Sequence, residues 1–291
     1  MSSNICIIGS GLTGPLLSSI LAKRHNIKIN MFERLEDPRY SDGFSGRSIN
    51  LALSKRGIDA LKYADVYDKE FEALLIPMYG RTVHLKEGNT TFQPYGNKDN
   101  HFINSISRAS INRILIEHAQ KTGNVDIHFN MKCDKVDLLK RKLYFGETIY
   151  ETNSPIIGAD GYKSVVSENI SFLNQIKLEY VNVEHSYKEL TIPSKNNEYQ
   201  MEPNSLHIWP RRNMMMIALP NLDKSFTCTL FMKGEGNNSF QNISNSYTLM
   251  SFFEENFSDT LSLFTNLEND FFSNPTSSLV GLRVPLWNYN D

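Results

Sequence analysis

Gly9-Ser10-Gly11-Leu12-Thr13-Gly14, set between an apolar run and a helical pattern, constrains the fold of this chain more tightly than any other segment. Asn4-Ile5-Cys6-Ile7-Ile8 precedes it as a short buried-strand pattern, and Leu16, Leu17, Ile20 and Leu21 follow at helical spacing. A second apolar strand over residues 27–32 ends on Glu33, nineteen residues after Gly14. Strand, glycine turn, helix, strand and acid in that order form a βαβ unit of the dinucleotide-binding kind. Gly9 permits the tight turn, Gly11 lets a pyrophosphate approach the backbone, and Gly14 lets the helix pack on the strand. The helix start offers unpaired N–H groups and a positive dipole end to the phosphates. Glu33 is placed to accept hydrogen bonds from ribose hydroxyls. A glycine turn alone can serve packing only; the flanking strands, helix and acid give the binding reading its weight.

A chain of 291 residues is long enough for a large core and two subdomains. Its net charge of −2 supplies no basic excess for nucleic acid or an anionic membrane. Cys6, Cys133 and Cys228 match no metal or disulfide spacing, which fits a reduced, cytoplasmic setting. The first strand starts at about residue 4, leaving no room for a signal peptide, and apolar runs such as 214–219 are too short to span a bilayer.

Along the chain, Ser54 is placed to cap a helix through Ile58, Leu61 and Val66. Residues 81–85 and 90–92 read as a hairpin turning on Glu87-Gly88-Asn89. Ser107-Arg108-Ala109-Ser110 precedes an amphipathic helix with Ile111, Ile114, Leu115 and His118 on one face. Strands are expected over 125–129 and 142–145, and a buried strand over 155–159 ends in an Asp160-Gly161 turn. From about Leu178 strand follows strand, at 187–192, 206–209, 214–219 and 225–232, and a helical segment spans 247–257. This predicts a mostly antiparallel sheet added to an α/β domain.

The glycine turn together with Gly158-Ala159-Asp160-Gly161-Tyr162-Lys163-Ser164 resembles the flavoprotein monooxygenases of the aromatic-hydroxylase type. Within them the chain is most similar to the kynurenine 3-monooxygenases. The segments carrying this are Gly46-Arg47-Ser48-Ile49-Asn50-Leu51-Ala52-Leu53-Ser54, Pro94-Tyr95-Gly96, Glu189-Leu190-Thr191-Ile192-Pro193, Met201-Glu202-Pro203-Asn204 and Leu206-His207-Ile208-Trp209-Pro210-Arg211, with further matches to Phe231. The resemblance implies an α/β fold: a three-layer Rossmann-like FAD-binding domain with a mostly antiparallel β-sheet substrate domain, discontinuous in sequence. Residues 1–75 and 100–178 would form the first, and 76–99 and 179–291 the second.

It also implies FAD as cofactor and NADPH, O2 and L-kynurenine as co-substrates, with a flavin hydroperoxide hydroxylating the ring to 3-hydroxy-L-kynurenine in tryptophan catabolism. The positions matching the family's flavin contacts are Thr13, Glu33, Arg34, Ala52, Arg108, Cys133 and Asp160, beside Gly9, Gly11 and Gly14. Arg47 is added from its loop position. Arg81 and Tyr95 match the pair that grips the substrate, a guanidinium and a phenol suited to a carboxylate. His207 and Trp209, two residues apart on one strand, share a face, on a sheet expected to roof the substrate pocket. His207 is read either as a gate or as a satisfied core histidine.

The family's later Gly-Asp motif has no counterpart here, for the chain holds no Gly-Asp dipeptide. The resemblance therefore implies a chain that stops before the motif. The alternatives are a non-catalytic fragment and a related hydroxylase acting on another aromatic acid; a homodimer is left open.

Overall fold

A computed structural model describes residues 4–25, 27–40, 50–97 and 101–290. The expected βαβ unit is present as the strand Asn4–Ile8, the helix Thr13–His25 and the strand Lys28–Phe32. The two strands pair in parallel, Ile5 opposite Ile29 and Ile7 opposite Met31. Val125–His128 and Ile156–Gly158 add parallel strands on the two sides, making a four-stranded sheet. Parallel strands are covered on both faces, which is why they read as continuous apolar runs. Here Ile7, Ile29 and Met31 pack with Ala22 and Ala119 on the helical side. Cys6, Ile8 and Phe32 pack on the other side under Val136, Leu143 and Phe145. Those three belong to a small antiparallel sheet of Lys135–Asp137, Lys142–Phe145 and Thr148–Glu151, so the layers are helices, parallel sheet and antiparallel sheet.

A second three-stranded sheet joins Asn50–Leu53, Ile103–Ser107 and Ile76–Met78, all antiparallel. It leads into a seven-stranded sheet in the order Ser277–Arg283, Glu179–Ile192, Phe226–Lys233, Met214–Pro220, Ser205–Arg211, Gly80–His84, Thr90–Pro94. Its pairs are antiparallel except Ser205–Arg211 with Gly80–His84, which is parallel. The sheet has two unlike faces. Leu190, Trp209, Met216, Cys228 and Leu230 are buried against Leu249, Phe253, Phe257 and Phe271. The last four lie on or beside the helices Ser246–Asn256 and Leu267–Ser273. The residues between them along each strand, Ile208, Met215, Ile217, Thr229 and Phe231, stay partly exposed on the opposite, open face.

Three sequence expectations change. Ser54 does precede the helix Lys55–Tyr63, but its side chain makes no capping bond. The strand expected at 187–192 begins eight residues earlier, because Glu179–Asn182 pairs with Ser277–Arg283 across a register shift. His207 and Trp209 do share a face, but it is the helix-covered one, because alternation along the strand gives the open face to Leu206 and Ile208.

Candidate functional site

Two of the three turn glycines are sterically obligatory. Gly9 has φ +101°, and a Cβ there would lie 2.5 Å from the Ala159 carbonyl oxygen. A Cβ on Gly14 would fall 2.1 Å from the Gly9 carbonyl oxygen. A Cβ on Gly11 would meet nothing within 4 Å, so that side of the turn is open to a ligand. Gly9 N–H donates to Phe32 O at 2.8 Å and Ala159 N–H to Ile8 O at 2.7 Å, which gathers the turn, the Glu33 end and the Asp160 turn at the carboxyl ends of the parallel strands. Crevices there are where open α/β sheets bind ligands.

Glu33 is tied to this turn: Oε2 accepts from Ser10 N–H at 2.7 Å and Oε1 from Leu35 N–H at 2.9 Å. Thr13, the first residue of its helix, and Arg34 are exposed. Cys133 is half-buried beside Phe32 and Ile8, with Sγ 3.5 Å from Lys135 O. Burial pushes its thiol up to about 11, which makes it a neutral packing group and no nucleophile. Asp160 Oδ2 accepts from Val165 N–H at 2.9 Å, at the start of the helix Val165–Leu173, while Oδ1 is buried without a partner.

Arg108 is exposed at the first position of the helix Arg108–Lys121. One turn on, Asn112 Nδ2 donates to both Ser10 O and Gly11 O at 2.9 Å. That buried clamp brings the Arg108 end of the helix to the glycine turn. No local pattern in the sequence marks Asn112 for this role, since its partners lie about 100 residues away. Ala52 is exposed on Asn50–Leu53, whose strand borders a cleft of about 220 Å³ lined by Asn50, Ser105, Ser107, Ser110, Pro220 and Asn221 among others. The cleft lies between the α/β layers and the large sheet. Arg47 lies outside the described residues.

Arg81 pairs with Leu206 in the parallel ladder, and its side chain is exposed. Its guanidinium stands 5.4 Å from the centre of the Tyr95 ring, so the structure brings this pair together. Tyr95 Oη is buried without a hydrogen-bond partner. Burial raises the phenol above its ordinary range, and the close approach of the Arg81 guanidinium, through its N–H groups first and its charge second, offsets part of that rise. His207 stands apart from both: Nε2 is 2.8 Å from Glu202 O and Nδ1 is 2.8 Å from His84 Nε2. It is the satisfied core histidine, not the gate. Among the described residues, no group of three or more His, Cys, Asp or Glu side chains could hold a metal ion, and no helix is long and apolar enough to cross a membrane.

Comparison with known proteins decides the family. Residues 2–220 match the family described as FAD binding domain. The chain belongs to that FAD-binding family. It is 39% identical over 293 residues to a kynurenine 3-monooxygenase of Cytophaga hutchinsonii, covering 99% of this chain and 65% of that protein. It is 38% identical to one of Dictyostelium discoideum, covering 99% of this chain and 62% of that protein. The chain thus spans under two thirds of the length of these relatives. In fold it is similar to 2-methyl-3-hydroxypyridine-5-carboxylic acid oxygenase (TM-score 0.74, 14% identity, 98% of this chain and 72% of that one). It is also similar to tetracycline destructase Tet(51) (TM-score 0.62, 18% identity, 99% of this chain and 72% of that one).

The residues present fit the cofactor that this FAD-binding family takes. The turn has glycine where a side chain is sterically barred and where a diphosphate needs room. The partnerless Asp160 Oδ1 is an acceptor suited to a hydroxyl of the cofactor. Glu33 keeps acceptor capacity beyond its two backbone bonds, since an ionised carboxylate has about four lone-pair sites.

Proposed function

We propose that the protein is an FAD- and NADPH-dependent monooxygenase that converts L-kynurenine and O2 to 3-hydroxy-L-kynurenine. The observation that carries this reading is the 37–41% identity to kynurenine 3-monooxygenases over essentially the whole chain. Residues 1–75 and 100–178 hold the cofactor, and residues 76–99 and 179–291 present the substrate. Free, widely separated cysteines support a cytoplasmic setting.

Bound FAD supplies the redox and oxygen-activating chemistry. The chain's own residues bind, orient and exclude water. Gly11, the helix start at Thr13, and Arg108 take the pyrophosphate; Glu33 takes ribose hydroxyls; and Arg34, Arg47, Ala52, Cys133 and Asp160 border the cofactor. Arg81 grips the amino-acid carboxylate with two parallel charge-assisted bonds, and Tyr95 Oη adds a third donor. The open face of the large sheet, with Leu206, Met215 and Ile217, supplies an apolar wall that keeps water from the reacting ring.

The test is NADPH consumption by the flavin-loaded protein with and without kynurenine, with product identified by mass. Kynurenine-dependent consumption with a product sixteen mass units heavier than kynurenine is expected, by about the mass of one inserted oxygen atom. Unchanged NADPH consumption on adding kynurenine refutes the assignment. Arg81→Ala is expected to raise the kynurenine KM at least about thirtyfold, the loss of a charge-assisted pair, and no rise would assign the pocket to another ligand.

A further inference from the structure

Arg81 lies on the open face of the large sheet. On the opposite face the same two strands carry a chain of polar contacts that the proposed reaction does not use. Thr82 Oγ1 is 2.7 Å from Ser205 Oγ, His84 Nε2 is 2.8 Å from His207 Nδ1, and Arg211 Nη1 donates to His84 O at 2.8 Å. His84 stacks on Trp209 with centroids 4.1 Å apart, and Trp209 Nε1–H donates to Asp259 Oδ2 at 2.8 Å.

One carbonyl sets the direction of this chain. Glu202 O can only accept, so His207 carries its proton on Nε2 and, when neutral, presents a lone pair at Nδ1. His84 must then donate through Nε2–H, and in the neutral ring its own Nδ1 carries no proton, 3.6 Å from Asp259 Oδ2. The His84 ring is therefore held by a donor bond on one edge and a stacked indole on its face.

The position matters because Gly80–His84 and Ser205–Arg211 are joined by a parallel ladder of only four registered pairs. No tight turn links them; the side-chain bonds span 123 positions. A slip of one residue would carry Arg81 to the wrong face. We propose that His84 is a positioning residue for the substrate carboxylate, fixing the strand through its hydrogen bond to His207 and so fixing the Arg81 guanidinium on the open face. This rests on the reading of Arg81 given above.

A double-mutant cycle on the flavin-loaded protein tests it, with kynurenine affinity read from the perturbation of flavin absorbance. The four proteins are the wild type, Arg81→Ala, His84→Phe and the double variant. His84→Phe keeps a ring on Trp209 and removes the donor. It is expected to weaken kynurenine binding about tenfold with flavin content unchanged, and to change it less than about twofold once Arg81 is alanine. His84→Gln, whose amide Nε2–H can reach His207 Nδ1, is expected to stay within about threefold of wild type.

Equal weakening in both backgrounds would show a general structural role and overturn the proposal, as would unchanged binding in His84→Phe. If His84→Phe does not fold, His84→Gln decides: wild-type affinity supports the proposal and a loss as large as that of Arg81→Ala overturns it. A wild type blind to kynurenine refutes the assignment of function itself, a result distinct from either.

Discussion

At His84, burial pulls the imidazole down to about 4 from its ordinary 6.5; the neighbouring His207 adds to that push and Asp259 opposes it. Burial lowers His207 as well. The unfolded chain protonates His84 as pH falls through about 6.5, while the folded chain resists until about 4. Stability is therefore complete above about pH 6.5 and is lost as pH falls through that window. The 14% exposed His84 ring contributes at most about 3 kcal/mol. Urea midpoints measured between pH 7 and 4 should fall accordingly, and less steeply in His84→Gln; identical slopes in the two proteins would contradict this origin. The glycines make a second residue-scale contrast. Gly14→Ala drives a Cβ into the Gly9 carbonyl and should destabilise the cofactor-free protein by about 1–3 kcal/mol. Gly11→Ala meets no protein atom and should leave that stability within about 0.5 kcal/mol while weakening FAD binding. Thermal melts with and without FAD separate the two; equal effects on both readouts would undo the assignment of roles.

Among the elements, the strand Met214–Pro220 shows what alternation does. Met216 is fully buried under the helix Ser246–Asn256, whereas Met215, its neighbour, is 37% exposed on the open face. Met216→Ala should cost about 2–5 kcal/mol by leaving a cavity, and Met215→Ala less than about 1 kcal/mol. Chemical denaturation of the two variants checks this, and a larger loss from Met215→Ala would invert the assignment of faces. The alternation itself was legible in the sequence, and so was the pairing of His207 with Trp209 on one face. Which face the helices would cover was not, because that depends on packing by residues about 40 positions further along the chain, such as Phe253 and Phe257. Likewise the βαβ unit was readable because its glycines, helix and acid are local. Asn112 was not, since its partners Ser10 and Gly11 lie about 100 residues away and nothing local marks an asparagine as a clamp.

For the whole molecule, the geometry of the cleft rests on how the α/β layers meet the large sheet, and Asn50 is a main tie. Its Nδ2 lies 3.0 Å from Pro220 O and 2.6 Å from Asn221 Oδ1, while Ser105 Oγ donates to the same Pro220 carbonyl at 2.8 Å. Asn221 in turn holds Ser225 and Thr227 through its Nδ2, and Tyr199 Oη donates to its carbonyl. The turn after the strand Met214–Pro220 is thus anchored from both parts of the molecule, beside the cleft where Ser107 and Ser110 begin the Arg108 helix. Removing the Asn50 amide takes one donor from Pro220 O, which keeps Ser105 Oγ, and the short donor from Asn221 Oδ1, at a cost of about 1–3 kcal/mol. Asn50→Ala should therefore lower stability by that amount and speed amide exchange at Asn221 and Lys224, whose N–H groups close the turn. The amides of the Asn4–Ile8 and Lys28–Phe32 strands should keep their protection, because that sheet is packed on both faces without Asn50. FAD binding to this variant should weaken as the cleft loosens, which native-state exchange with and without FAD would resolve residue by residue. Exchange that rises equally in the turn and in the parallel sheet would show that Asn50 serves global stability and not the junction.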